Sequence, residues 1–160
     1  MTITEGLTDN ELKEVNMVVR KLALLLIFLA FYAVNIFAQN SRTTVEITGV
    51  NIGGGNIHIC IFSNERDYKK GVAFREYVLE SQNTVLRHEA DLPYGEYVFM
   101  VFQDTNGNGK MDTNFLGMPK EPVSLFNHTG GIPGGFNKLK AAINREEVTI
   151  TMNMKALKGS

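Results

Sequence analysis

At 160 residues, the chain carries 16 Lys+Arg against 17 Asp+Glu, a net charge of −1 that argues against electrostatic capture of nucleic acid or of an anionic membrane. Its single cysteine, Cys60, rules out an intramolecular disulfide, so stability has to come from a buried core.

The first feature along the chain is an export signal. Arg20-Lys21 is a short basic region, residues 22–32 run without a charge, and Ala38 closes the segment before Gln39 and a polar stretch. That order predicts a secretory signal peptide over residues 1–38, cleaved after Ala38, with Ile36 bulkier at −3 than the pattern favours. The apolar run 22–38 is interrupted by Asn35 and falls short of the ~20 residues of a spanning helix, so no membrane span is expected after cleavage. The polar residues 1–16 fit badly in front of a basic region, and Met17 is read as the true initiator. No cysteine lies near the cleavage site to take a lipid anchor. Cleavage removes three basic and four acidic residues and leaves thirteen of each in one domain, residues 39–160, expected in the periplasm or outside the cell.

In that domain the apolar period is two. Residues 43–50 place Val45 and Ile47 on one face and Glu46 and Thr48 on the other. Gly53-Gly54-Gly55 then suits a turn, and residues 56–62 continue with Ile57, Ile59 and Ile61 in phase. Both runs are rich in β-branched residues and predict antiparallel strands. Cys60 sits inside the second run and reads as a small buried hydrophobe. Residues 64–81 are polar and irregular, with room for a helical turn before Phe74 and Tyr77. A strand over 84–91 is expected to end at the turn Leu92-Pro93-Tyr94-Gly95. The strand over 96–103 has apolar residues in both phases, which marks it as central and covered on both sides. Residues 104–135 are turn-rich. Phe136, Leu139 and Ile143 recur at helical spacing and predict a short helix near 137–144, and a last strand covers 147–154. Short strands between turns give an all-β fold, an antiparallel β-sandwich or barrel.

One segment carries chemistry. Asp104-Thr105-Asn106-Gly107-Asn108-Gly109-Lys110-Met111-Asp112 matches D-x-N-x-N-G-x-x-D, the opening of an EF-hand-type calcium loop. Calcium takes six to eight oxygens, and alternate residues of a tightly curled loop point inward to supply them. The predicted donors are the carboxylates of Asp104 and Asp112, the amides of Asn106 and Asn108, and the backbone carbonyl of Lys110, with Gly109 permitting the turn. Position twelve, normally a bidentate Glu, is Phe115; Glu121 is the nearest later carboxylate, delivered if the chain folds back through Gly117 and Pro119. So few carboxylates predict weak calcium binding, with Kd ~10⁻⁴ to 10⁻³ M. The competing account is a pair of Asn-Gly turns without an ion, in which a loop carboxylate contributes little to stability.

Other chemistries find less support. Gly109-Lys110 lacks the leading Gly and the Ser/Thr of a P-loop, and His58, His88 and His128 are dispersed without zinc-ligand spacing. His58 and His88 read as ordinary strand residues. No G-x-S-x-G elbow occurs, while a Ser/His/Asp triad assembled in space stays open. Asn127-His128-Thr129 is a glycosylation sequon with meaning only in a eukaryotic secretory route, and Gly130 to Gly135 read as a flexible loop before a pocket wall.

The chain resembles DUF2141, a family of uncharacterised exported bacterial proteins, from about Val45 to Met154. The resemblance rests on Gly55-Asn56-Ile57-His58-Ile59, on Leu92-Pro93-Tyr94-Gly95-Glu96-Tyr97, on Gln103 through Asn114, and on Gly117-Met118-Pro119-Lys120-Glu121-Pro122. It departs at Ser124-Leu125-Phe126-Asn127, where a Gly-Phe-Ser-Asn-like run is usual. The resemblance implies an exported sandwich-like domain, immunoglobulin-like or transthyretin-like, and transfers no catalytic residue. The resulting expectation is a non-enzymatic, calcium-stabilised binding or structural module with an extracytoplasmic protein or glycan partner. The alternative is a carbohydrate- or small-ligand-binding domain with its pocket between the calcium loop and segment 127–135, and a hydrolase stands behind both.

Overall fold

The computed structural model of the chain describes residues 9–34, 39–115, 118–129 and 133–154. The cleavage-site residues Ile36 and Ala38, Gly117 of the fold-back, and Gly130 to Ile132 of the Gly-rich segment lie outside them. The chain divides into two units, Met1–Ala38 and Gln39–Ser160.

The first unit is one helix, α1 (Asp9–Val34). Leu22, Leu24, Leu25, Leu26, Ile27 and Phe28 on it are each more than half exposed. Among the described residues no helix is long and apolar enough to cross a membrane.

The second unit is mostly β, with two sheets rich in antiparallel pairs. Its strands are β1 (Asn40–Thr48), β2 (Asn56–Phe62), β3 (Arg75–Leu79), β4 (Val85–Pro93), β5 (Gly95–Asp104), β6 (Val123–Leu125), β7 (Ala141–Ile143) and β8 (Glu147–Asn153). One sheet runs β4-β1-β8 and the other β3-β2-β5-β6, with β7 joined to the start of β5. The strands form two sheets and no barrel. The pairing is not wholly antiparallel: β8 lies parallel to β1, from Arg42 opposite Glu147 to Thr48 opposite Asn153. No short turn can join the two, because β1 and β8 stand at opposite ends of the domain's sequence.

The period-two pattern sorts side chains as the strands require. Val45 and Ile47 of β1, Leu92 of β4 and Ile150 and Met152 of β8 turn inward against Ile57, Ile59 and Ile61 of β2 and Phe99 and Val101 of β5, forming one buried cluster. The opposite face of β2 and β5 is covered as well. Cys60, Phe62, Val98 and Phe102 meet Val123 and Leu125 of β6 and Phe136 and Leu139 of α3 (Phe136–Leu139) in a second cluster, with Tyr68 of α2 (Glu65–Lys70) against it. Apolar residues in both phases of β5 thus mean cover on both faces. Helix α2 is short because Asn64 caps it, its Oδ1 accepting from Asp67 N at 2.9 Å, and Gly71 ends it in the left-handed region.

The helix expected over 137–144 is only one turn long. The chain is extended by Lys140, and Ala141 to Ile143 pair with β5 at Gly95 to Tyr97. Three residues spaced 136, 139 and 143 fit a helical face, but a turn followed by a strand buries Phe136, Leu139 and Ile143 equally well.

Candidate metal site

Strand β5 ends at Asp104, whose neighbour across the ladder is Asn56 at the start of β2. Asp104 is 3% exposed. Its Oδ1 accepts from Gly107 N at 2.8 Å and Asn108 N at 3.2 Å, and its Oδ2 from Gly109 N at 2.8 Å. Gly109 takes φ 73, which lets its N–H turn back toward the strand end. The loop is therefore wound around the first carboxylate by its own backbone. The Gly109 N–H holds that carboxyl below the usual range, burial opposes it, and the Gly107 and Asn108 N–H groups and His58 act with Gly109. A carboxylate depressed in the folded state stabilises the fold above its ordinary pKa. That contribution is lost as pH falls through the lowered value. This corrects the expectation that an ion-free loop carboxylate contributes little.

The next donors converge. Asn106 Nδ2 and Asn108 Nδ2 both donate to Asp112 Oδ2, at 2.6 and 2.9 Å. Their amide oxygens turn the other way: Asn106 Oδ1 accepts from Asn108 N at 3.0 Å and Asn108 Oδ1 from Lys110 N at 2.8 Å. The carboxylate of Asp112 thus gathers both amides at one point, with amide nitrogens where a cation would take oxygens. Lys110 is exposed.

Glu121 reaches the loop from the far side of an excursion. Thr113 bridges Pro119, Asn114 N donates to Met118 O at 2.8 Å and Lys120 N to Asp112 O at 2.8 Å, so the chain doubles back. Glu121, 6% exposed, then accepts from Thr105 N at 3.0 Å through Oε1 and from Asp112 N at 3.2 Å through Oε2. Its carboxylate straps the two ends of the loop together. Phe115, at position twelve, is 94% exposed. Among the described residues no three acidic, histidine or cysteine side chains could hold an ion by themselves, so a cation here would also need amide and carbonyl oxygens.

Sequence reasoning missed His58. On β2 it shares the face of Asp104, with Nε2 3.8 Å from Asp104 Oδ2 and Nδ1 3.0 Å from Glu76 Oε1, and its ring stacks on Phe102 at 4.6 Å. The signal lies in the pairing of β2 with β5, which no local pattern gives away. Cys60, two residues on, is pushed up to about 12 by burial and then by Glu76, so its thiol is not a nucleophile at neutral pH. Among the described residues no serine hydroxyl is hydrogen-bonded to a histidine.

A hollow of about 510 Å³ lies beside the loop, walled by Asn51, Gly53 to Asn56 and Asp104 to Gly107; no described residue of segment 127–135 lines it. In that segment Asn127 takes φ 58 and donates through Nδ2 to Lys140 O at 3.2 Å.

The family model described as "Uncharacterized protein conserved in bacteria (DUF2141)" matches residues 45–151. The chain belongs to the DUF2141 family. The matched stretch runs from β1 almost to the end of β8 and takes in the whole loop and its Glu121 strap. No curated protein and no solved structure matches this DUF2141 chain.

Proposed function

We infer that this DUF2141 protein is an exported β-sandwich of immunoglobulin-like or transthyretin-like type that works by binding or scaffolding rather than catalysis, with a weak structural calcium ion in the 104–112 loop. The observation that carries the calcium reading is the gathering of Asn106 and Asn108 onto Asp112 Oδ2 in a loop already wound around Asp104. Turning the two amides over, with loss of their bonds from Asn108 N and Lys110 N, would present their oxygens instead, so Asp104, Asn106, Asn108, Asp112 and the Lys110 carbonyl would then form a hard-oxygen donor set. Glu121 either joins them or holds the loop shut around them. All are oxygen donors, which suits calcium better than a softer metal.

Calcium that binds the folded state but not the unfolded chain raises stability by mass action, by about 2.7 kcal/mol at one hundred times Kd. Melting temperature should therefore climb as calcium is titrated into the millimolar range. Magnesium should do much less, because it demands a tighter octahedral site and sheds water reluctantly. Asp104→Ala should abolish the calcium response and should also melt earlier in EDTA, since Gly107 N and Gly109 N lose their acceptor while Asn108 N keeps only Asn106 Oδ1. A wild-type melting temperature flat across the titration rejects the ion.

Export is supported by the basic Arg20-Lys21 ahead of an apolar stretch of α1 with its leucines exposed, and by a division of the chain at Ala38. Mass spectrometry of the exported protein should find Gln39 at the N-terminus; material retaining residues 22–38 would rule out the cleavage.

A further inference from the structure

The hollow beside the loop has two walls that other parts of the fold hold in place. On one side, Gln103, 1% exposed, accepts from Asn51 N at 3.2 Å and donates to Asn51 O at 2.6 Å and Gly55 O at 3.2 Å. Gly53 N adds a bond to Ser81 O at 3.1 Å. On the other side, Asp104 holds Gly107 N and Glu121 holds Thr105 N. Asn51 and Asn56 line the space between with Gly53 to Gly55, and Thr105, Asn106 and Gly107 close it on the loop side, the Asn106 amide being already bonded to Asp112 and Asn108.

We propose that this groove binds a neutral saccharide, the end of a glycan or a free sugar. The lining side chains carry no net charge apart from Asp104, whose oxygens already accept three backbone N–H groups. An anion would find no cation among the lining residues, and an apolar ligand would strip water from amides without replacing it. Sugar hydroxyls donate and accept at once, as do asparagine amides. At Gly53 and Gly107 nothing lies within 4 Å of where a Cβ would stand, so the wall is open there. The volume lies within the ~300–1,000 Å³ range of small-ligand sites, and its open mouth leaves room for a chain to continue. A peptide fits less well. Strand-type docking needs a free sheet edge, whereas β2 is paired on both sides and the loop end of β5 lies between β2 and β6. The proposal names a ligand class for the binding-module reading and rests on that reading, but not on the calcium ion.

The test is nuclear magnetic resonance of the purified chain, following the side-chain amides of Asn51, Asn56 and Asn106. The probes are the methyl glycosides of glucose, galactose, mannose and N-acetylglucosamine with their disaccharides, and N-acetyl-tetraalanine amide as the peptide. At least one sugar should shift those amides saturably, with Kd in the millimolar range, about −4 kcal/mol. Asn51→Ala/Asn56→Ala should weaken that binding at least about tenfold. Its melting temperature should stay put, because the bonds from Gln103 reach the backbone of residue 51, not its side chain. Absence of saturable shifts with every sugar, sugar shifts that persist in the double variant, or binding of the peptide alone would each overturn the proposal. If sugar binds while calcium leaves the melting temperature flat, the groove stands and only the ion falls.

Discussion

Alanine at position 55 should lower the stability of the domain by more than ~4 kcal/mol, enough to keep much of the chain from folding when the whole reserve is of order 5–15 kcal/mol. Gly55 takes φ 101, and a Cβ built there would lie 1.8 Å from the carbonyl oxygen of Asp104. The obstacle is backbone on a paired strand, so no side-chain rotation relieves it, and β2 must part from β5 where the 104–112 loop begins. Gly53, two residues earlier, is the control. It takes φ 70 with nothing within 4 Å of its missing Cβ, so Gly53→Ala should show only the left-handed penalty of about 1–2 kcal/mol. Thermal melts of the two variants decide the matter. Curves that superimpose would mean that the close approach of Gly55 to Asp104 is not a real constraint.

Phe99→Ala should cost about 3–5 kcal/mol. Phe99 is fully buried in β5, in the cluster shared by the two sheets, with Tyr97 and Phe126 rings 6.5 and 6.4 Å away. Removing the ring leaves a void walled by strands of both sheets, which cannot close without moving a backbone. Phe115→Ala makes the same chemical change at a side chain 94% exposed and should stay within about 0.5 kcal/mol. Denaturant titrations give both numbers. A loss below 1 kcal/mol for Phe99 would contradict the central place of β5.

Sequence patterning reached the long strands because each has a half-buried or fully buried phase to display. Val45 and Ile47, then Ile57, Ile59 and Ile61, then Tyr97, Phe99 and Val101 all alternate as their sheets require. β3, β6 and β7 escaped it. Three to five residues hold too few alternations to separate a strand from a turn, and on β3 Glu76 and Val78 stay exposed. The loop residues were legible because D-x-N-x-N-G-x-x-D is a local spacing that needs no long-range pairing to be read. Glu121 was legible only as a nearby carboxylate; its bonds to Thr105 and Asp112 depend on a fold-back that no pattern encodes. His58 and the wall at 51–56 depend on β2 lying beside β5, a pairing between segments far apart in the chain.

The parallel pairing of β1 with β8 makes the three-stranded sheet a closure of the first strand by the last. β1 can form its hairpin-like partnership with β4 once that strand has been made, but its other edge stays bare until residues 147–153 appear. A chain emerging from a ribosome or a secretion pore therefore cannot seal its core by degrees. It waits, one edge of its founding strand unsatisfied, for the final few residues. Such long-range contacts belong to folds that assemble in milliseconds to seconds rather than microseconds. If the chain is exported as proposed, that delay protects against premature folding before it has crossed the membrane. It also makes the C-terminal strand the part whose truncation would leave an open, adhesive sheet edge.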